Sequence, residues 1–177
     1  MRRELFLHFS FWFAFFVFIT LVRQYFNLGY WPFWLGGILG IFLPDLDHLI
    51  YVYFIQPQEL TSQRVDYLVN KKDIKRSIEL LYETRSERRG LIFHTIFFQI
   101  IFLVLTFWMV SSSGSLFGKG LVLSYALHLS VDQAVDLTDM GNFNNWFKNL
   151  PFSLDLQQSK IYWLVALVLV LFIGFLI

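Results

Sequence analysis

The chain contains no cysteine and only four prolines, and Asp, Glu, Lys and Arg together make up 15% of its 177 residues. Without cysteine there is no disulfide, no thiolate metal ligand and no thiol nucleophile, so His, Asp and Glu are the side chains left for a metal. A soluble domain averages about 25% charged residues, so this chain is poor in the groups that keep a globule in water. No Gly-x-Ser-x-Gly, His-Glu-x-x-His or P-loop lysine pattern is present, which removes several common hydrolase classes. A formal net charge of +1 gives no reason to expect nucleic acid. We find no internal repeat and no low-complexity tract. What the chain has in abundance is apolar surface: 56% hydrophobic residues, 20% aromatic residues and 22 Phe.

Those residues fall into runs. Residues 5–22 form an uncharged stretch behind Arg2-Arg3, and no small-residue cleavage site follows, so it reads as a retained span rather than a signal peptide. Residues 30–55 are apolar but interrupted by Gly36-Gly37, Gly40 and Pro44, which predicts a bent or broken helix. Residues 91–110, 121–137 and 161–177 complete the set. The expectation is an all-α, polytopic membrane bundle in a single domain over 1–177, with about five transmembrane helices. Between the second and third spans lies the segment 56–90, in which 14 of 35 residues are charged. Ile74, Ile78 and Leu81 recur there at i, i+4, i+7, predicting an amphipathic helix on the membrane surface. This segment with Arg2, Arg3, Lys148 and Lys160 gathers 12 of the 14 basic residues on one side, which places the N-terminus and the 56–90 segment in the cytoplasm.

All four histidines lie in or beside apolar runs, with carboxylates nearby: His8, His48 in Pro44-Asp45-Leu46-Asp47-His48, His94, and His128 with Asp132 and Asp136. An ionised Asp near the bilayer centre costs about 2.5–3.5 kcal/mol on an insertion scale. The apolar runs contain no Lys or Arg to offset this, so a divalent cation held by His and Asp is the economical arrangement. His128 and Asp132 stand at i, i+4 and share a helix face. Asp136, one turn on, is placed to orient a ligand from behind. Asp45 and His48 stand at i, i+3, leaving Asp47 to diverge as a general base or an orienting group. With the N-terminus inside, all of these positions fall in roughly one layer near the cytoplasmic interface, which scattered core histidines would have no reason to do. Arg88 and Arg89 precede His94 at the same face and are candidates for holding an anion, against the simpler reading of positive-inside anchors.

The order of these motifs resembles a family of bacterial membrane-bound metal-dependent hydrolases, described as LexA-binding and inner-membrane-associated. The shared pattern is an N-terminal His, a Pro-Asp-Leu/Ile-Asp-His block, an Arg-Gly with a following His, and a His-x-x-x-Asp. Here these are His8, Pro44 to His48, Arg89-Gly90 with His94, and His128 with Asp132. Arg88 stands where the pattern has a His, and Asp136-Leu137-Thr138-Asp139 replaces a Thr-Pro-x-Gly. More distantly, the scheme is similar to zinc-dependent phospholipases C and P1-type nucleases.

The resemblance implies a hydrolase of the bacterial inner membrane. One or two divalent ions, zinc by preference, would be held by His8, Asp45, Asp47, His48, His94, His128 and Asp132, and would act on a phosphoester such as a lipid headgroup through metal-activated water. Its partners would be membrane lipid and a small-molecule or lipid-linked substrate. Two alternatives come from other classes. Intramembrane Asp and His also build ion or proton transporters, and a metal site can be purely structural.

Overall fold

The computed structural model describes residues 2–88, 90–148 and 150–177, and among these the regular structure is helical throughout. The helices are α1 (Arg2–Arg23), α2 (Trp31–Phe42), α3 (Leu46–Ile50), α4 (Leu60–Asn70), α5 (Ile74–Glu83), α6 (Ile96–Ser112), α7 (Leu116–Met140), α8 (Asn144–Phe147) and α9 (Leu156–Phe175). Their ends carry conventional signals. Thr95, Ser115 and Asp155 accept backbone N–H groups at the starts of α6, α7 and α9, and Gly141 closes α7 in the left-handed region at φ 69°.

α7 is the axis of the bundle. Fifteen of its residues are buried, from Gly120 to Asp136, and α1, α2, α6 and α9 pack around it. The outer helices have the reverse distribution. Phe11, Phe13 and Phe18 on α1, Ile101, Val104 and Trp108 on α6, and Leu164, Val168 and Phe172 on α9 all face outward. A coat of this kind is a solvent mismatch in water and a match to lipid. Among the described residues, three stretches are long and apolar enough to cross a membrane: Arg3–Arg23, Leu28–Ile55 and Leu156–Phe175. α6 has 17 residues and is about 26 Å long, just short of a ~30 Å hydrocarbon layer. α7 is long enough, but it carries His128, Asp132, Gln133 and Asp136, all buried within the bundle, and is not among the apolar spans. The expected count of about five spans therefore reduces to three on length and composition.

The second span departs from expectation in where it breaks. α2 runs unbroken through Gly36, Gly37 and Gly40, and the interruption comes at Leu43-Pro44-Asp45. The glycines serve contact instead. A Cβ on Gly36 would strike the Phe117 carbonyl, one on Gly40 the Leu121 carbonyl, and one on Gly120 the Phe33 carbonyl. α2 and α7 thus meet backbone to backbone, the small-residue mode of membrane helix packing. After α3 the helix widens into one π-type turn over Tyr51–Ile55.

Two apolar clusters fill the interior. One unites Trp12, Phe16, Ile19, Phe33, Leu123 and Val170, with Phe16 and Phe33 stacked at 4.5 Å. The other gathers Ile96, Tyr125, Leu129, Phe143 and Trp146. Among them sits a buried amide exchange between α6 and α7: Gln99 and Gln133 donate to each other at 3.1 and 2.8 Å, and Tyr162 of α9 donates to Gln99 at 2.7 Å. Every polar atom of that trio finds a partner within the bundle, as a low-dielectric setting requires.

Candidate metal centre

The inward stripe of α1 reads His8, Trp12, Phe16, Ile19, at i, i+4, i+8, i+11, and all four are buried. The stripe of α7 reads Ser124, His128, Asp132, Asp136, also buried. Where these two stripes meet, His8, His128 and Asp132 form a buried group whose ligand atoms lie within 4.8 Å of one another, and this group could hold a metal ion.

Asp132 is the hub. Its Oδ1 lies 3.1 Å from His8 Nε2, and its Oδ2 lies 3.1 Å from His128 Nε2 and 2.8 Å from His94 Nε2. The remaining ring contacts decide what those nitrogens can do. His8 Nδ1 sits 2.9 Å from the Glu4 carbonyl, which can only accept, so Nδ1 carries the hydrogen and a neutral ring turns its lone pair toward Asp132. Among the described residues, His8 Nε2 finds no hydrogen-bond partner, and neither ring nitrogen of His128 does. Lone pairs facing a carboxylate repel it unless a cation or a proton lies between. A divalent ion answers that need. Ligand atoms about 2.0 Å from a tetrahedral zinc stand about 3.3 Å apart; the two His–Asp132 separations, both 3.1 Å, are close to that, and the ligand atoms of the group all lie within 4.8 Å of one another. The donor set therefore fits.

His94 reaches the hub through a second carboxylate. Asp47, fully buried, accepts backbone N–H groups from Ile92, Phe93 and His94 at 3.0, 2.6 and 3.2 Å, and its Oδ2 lies 3.0 Å from His94 Nδ1. Asp47 thus fastens the 92–94 turn to α3 and sets the ring so that Nε2 points at Asp132. This is the carboxylate–histidine arrangement that commonly stands behind a metal ligand.

The other expected residues are placed apart. Asp45 is at the rim, half-exposed, with Oδ1 3.7 Å from His128 Nε2. The ring of His48 stacks on His94 at 5.2 Å, but its Nδ1 accepts from Arg88 Nε at 3.2 Å. That assigns the ring hydrogen to Nε2, so His48 has no free lone pair to offer an ion in this arrangement. Asp136 is held by the Trp146 indole N–H at 2.7 Å. Arg89 lies outside the described residues.

One side chain overturns a premise of the sequence reading. Arg85 donates into the site, 3.0 Å from Asp132 Oδ1 and 3.2 Å from Asp136 Oδ1, with Glu4 at 4.0 Å. The buried aspartates therefore do have a basic neighbour. It comes from the 3₁₀ turn after α5, not from an apolar run, and folds inward with that turn. Burial works against its charge, but Asp132, Asp136 and Glu4 more than offset that and raise its pKa. A signal existed in the sequence. Arg85 continues the series 74, 78, 81 at i+11, a cation on the apolar face of an amphipathic helix. Trp146, the partner of Asp136, offered no comparable signal.

Comparison with family models, curated proteins and solved structures finds no match.

Proposed function

We propose that the protein is a membrane-bound metal-dependent hydrolase that cleaves a phosphoester. The observation that carries this reading is the convergence of three imidazoles on one buried carboxylate, with unpartnered ring nitrogens on His8 and His128. His8, His128 and Asp132 would hold the ion, zinc by the chemistry of the set, and His94, hydrogen-bonded through its two ring nitrogens to Asp47 and Asp132, would fix the carboxylate of Asp132 from behind. When bound, such an ion polarises a phosphoryl oxygen and lowers the pKa of water. Asp47 fixes the tautomer and direction of His94, while Asp45, at the rim, is placed to take a proton from water. Arg85 keeps Asp132 and Asp136 charged, and Trp146 keeps Asp136 turned toward Arg85. In this reading α6 and α7 accompany the three apolar spans through a bacterial inner membrane, with the site near the cytoplasmic face.

Arg85 favours a second reading, in which Asp132 is balanced within the protein and the cluster is a structural clamp. Metal analysis separates the two. Purified protein is expected to carry about one zinc or similar ion per chain, and His128→Ala to lose it together with phosphoesterase activity. Metal-free protein that hydrolyses no phosphoester, with His128→Ala lowering only its thermal unfolding midpoint, would leave only the clamp.

A further inference from the structure

A groove of about 350 Å³ opens beside the candidate centre, between the start of α1, the α2–α3 break and the end of α5. Its two ends differ chemically. Phe42, Leu46, Leu49 and Ile78 form an apolar mouth and are themselves exposed on the outer surface. Asp45, Tyr82 and Arg85 line its inner end and also line the small cavity against His8, His128 and Asp132. The groove therefore runs from the coat of the bundle to the centre.

Arg88 forms part of the same inner wall and is 2% exposed. Its Nε donates to His48, one terminal nitrogen donates to Thr84 at 2.9 Å, and the other donates to the Leu81 carbonyl. All three partners are neutral, and no carboxylate among the described residues pairs with it. A guanidinium has five N–H groups, so two remain. Burial and the neighbouring charge of Arg85 push its pKa down to about 10, which leaves it cationic at neutral pH. Glu87 and Glu59 act on this cation only at a distance; a buried cation without a close counter-charge is expensive, and an anion arriving through the groove would offset that cost.

We infer that the groove seats an anionic monoacyl lipid, its chain along the apolar mouth and its phosphate on the free N–H groups of Arg88, beside the candidate centre. The inference names the substrate class for the proposed hydrolase and rests on that reading for turnover, but not for binding. A chain-bearing phosphate satisfies both ends of the groove at once. A free phosphate leaves the apolar mouth wet, and a neutral lipid leaves Arg88 unpaired.

The test measures binding by native mass spectrometry on the full chain in dodecyl maltoside with metal chelated. The probes are oleoyl glycerol phosphate, oleoyl glycerol and glycerol 3-phosphate. Oleoyl glycerol phosphate is expected to bind at least tenfold tighter than either of the others. In Arg88→Gln the preference over oleoyl glycerol should vanish, and in Leu49→Trp, which fills the mouth, both lipids should weaken at least fivefold. Equal binding of the phosphorylated and neutral lipids, or of glycerol 3-phosphate and the lipid, would overturn the inference. So would an unchanged preference in Arg88→Gln, and if that variant does not fold, unchanged lipid affinity in Leu49→Trp decides against the groove. Tight, selective binding without any phosphoester turnover in metal-loaded protein would remove the hydrolase reading alone.

Discussion

Replacing Arg85 with Gln would leave Asp132 and Asp136 buried with only imidazoles and one indole N–H for company. Breaking a buried ion pair by removing one partner typically costs about 3–5 kcal/mol, and here one guanidinium serves two carboxylates. Arg85→Gln is therefore expected to lower the thermal unfolding midpoint in detergent by well over what a surface Arg→Gln such as Arg76→Gln would. Zinc should restore part of the loss, because an ion on His8, His128 and Asp132 supplies the missing positive charge and stabilises the folded state by mass action. A zinc response no larger in Arg85→Gln than in the unmodified protein would argue that ion and guanidinium do not serve the same carboxylate. At this scale the histidines and Asp132 were legible because ionisable groups are conspicuous in apolar runs. Arg85 was not, since it is one of 14 charged residues in its segment and only its spacing of 11 from Ile74, in the turn just past the end of α5, set it apart. His48 was legible as unusual but not in its role, because the choice between ligand and hydrogen-bond acceptor depends on where Arg88 folds back to.

At the scale of the element, the glycines of α2 and α7 decide how closely the two helices approach, and through that how His8, Asp45 and the α7 stripe meet. Gly120→Ala places a Cβ against the Phe33 carbonyl, and backbone cannot rotate away as a side chain can. Overpacking of this kind costs about 1–3 kcal/mol. Gly114→Ala, which meets nothing within 4 Å, is its control. We expect a lower unfolding midpoint and reduced metal retention for Gly120→Ala, and neither change for Gly114→Ala, measured by thermal unfolding and metal analysis on the same preparations. Composition alone suggested that Gly36, Gly37 and Gly40 interrupt the second span. Glycine in a helix is weakly destabilising in isolation, and only the facing backbone of α7 turns it into a packing device. The break at Pro44 was readable for a more local reason: a proline removes a helical N–H and crowds the preceding turn.

At the scale of the whole molecule, the orientation of a bundle with apolar helices long enough to span a membrane is directly measurable, because the chain has no cysteine. If α6 and α7 cross as proposed, 12 of the 14 basic residues fall on the side of the 56–90 segment, so that side should be cytoplasmic and the α6–α7 turn should face the opposite compartment. Two substitutions test this. Lys75→Cys lies on the exposed face of α5, and Ser112→Cys lies at the exposed end of α6. In intact cells, a membrane-impermeant maleimide should label Ser112→Cys and not Lys75→Cys, and after disruption it should label both. The reverse pattern would invert the bundle and carry the candidate centre to the other face, because His8, His94 and His128 all lie within 2.8–3.1 Å of Asp132 in one packed bundle and must move as a unit. Labelling of both positions in intact cells would mean that α6 does not cross. That outcome would fit its length of 17 residues and leave only the three longer spans to anchor the protein.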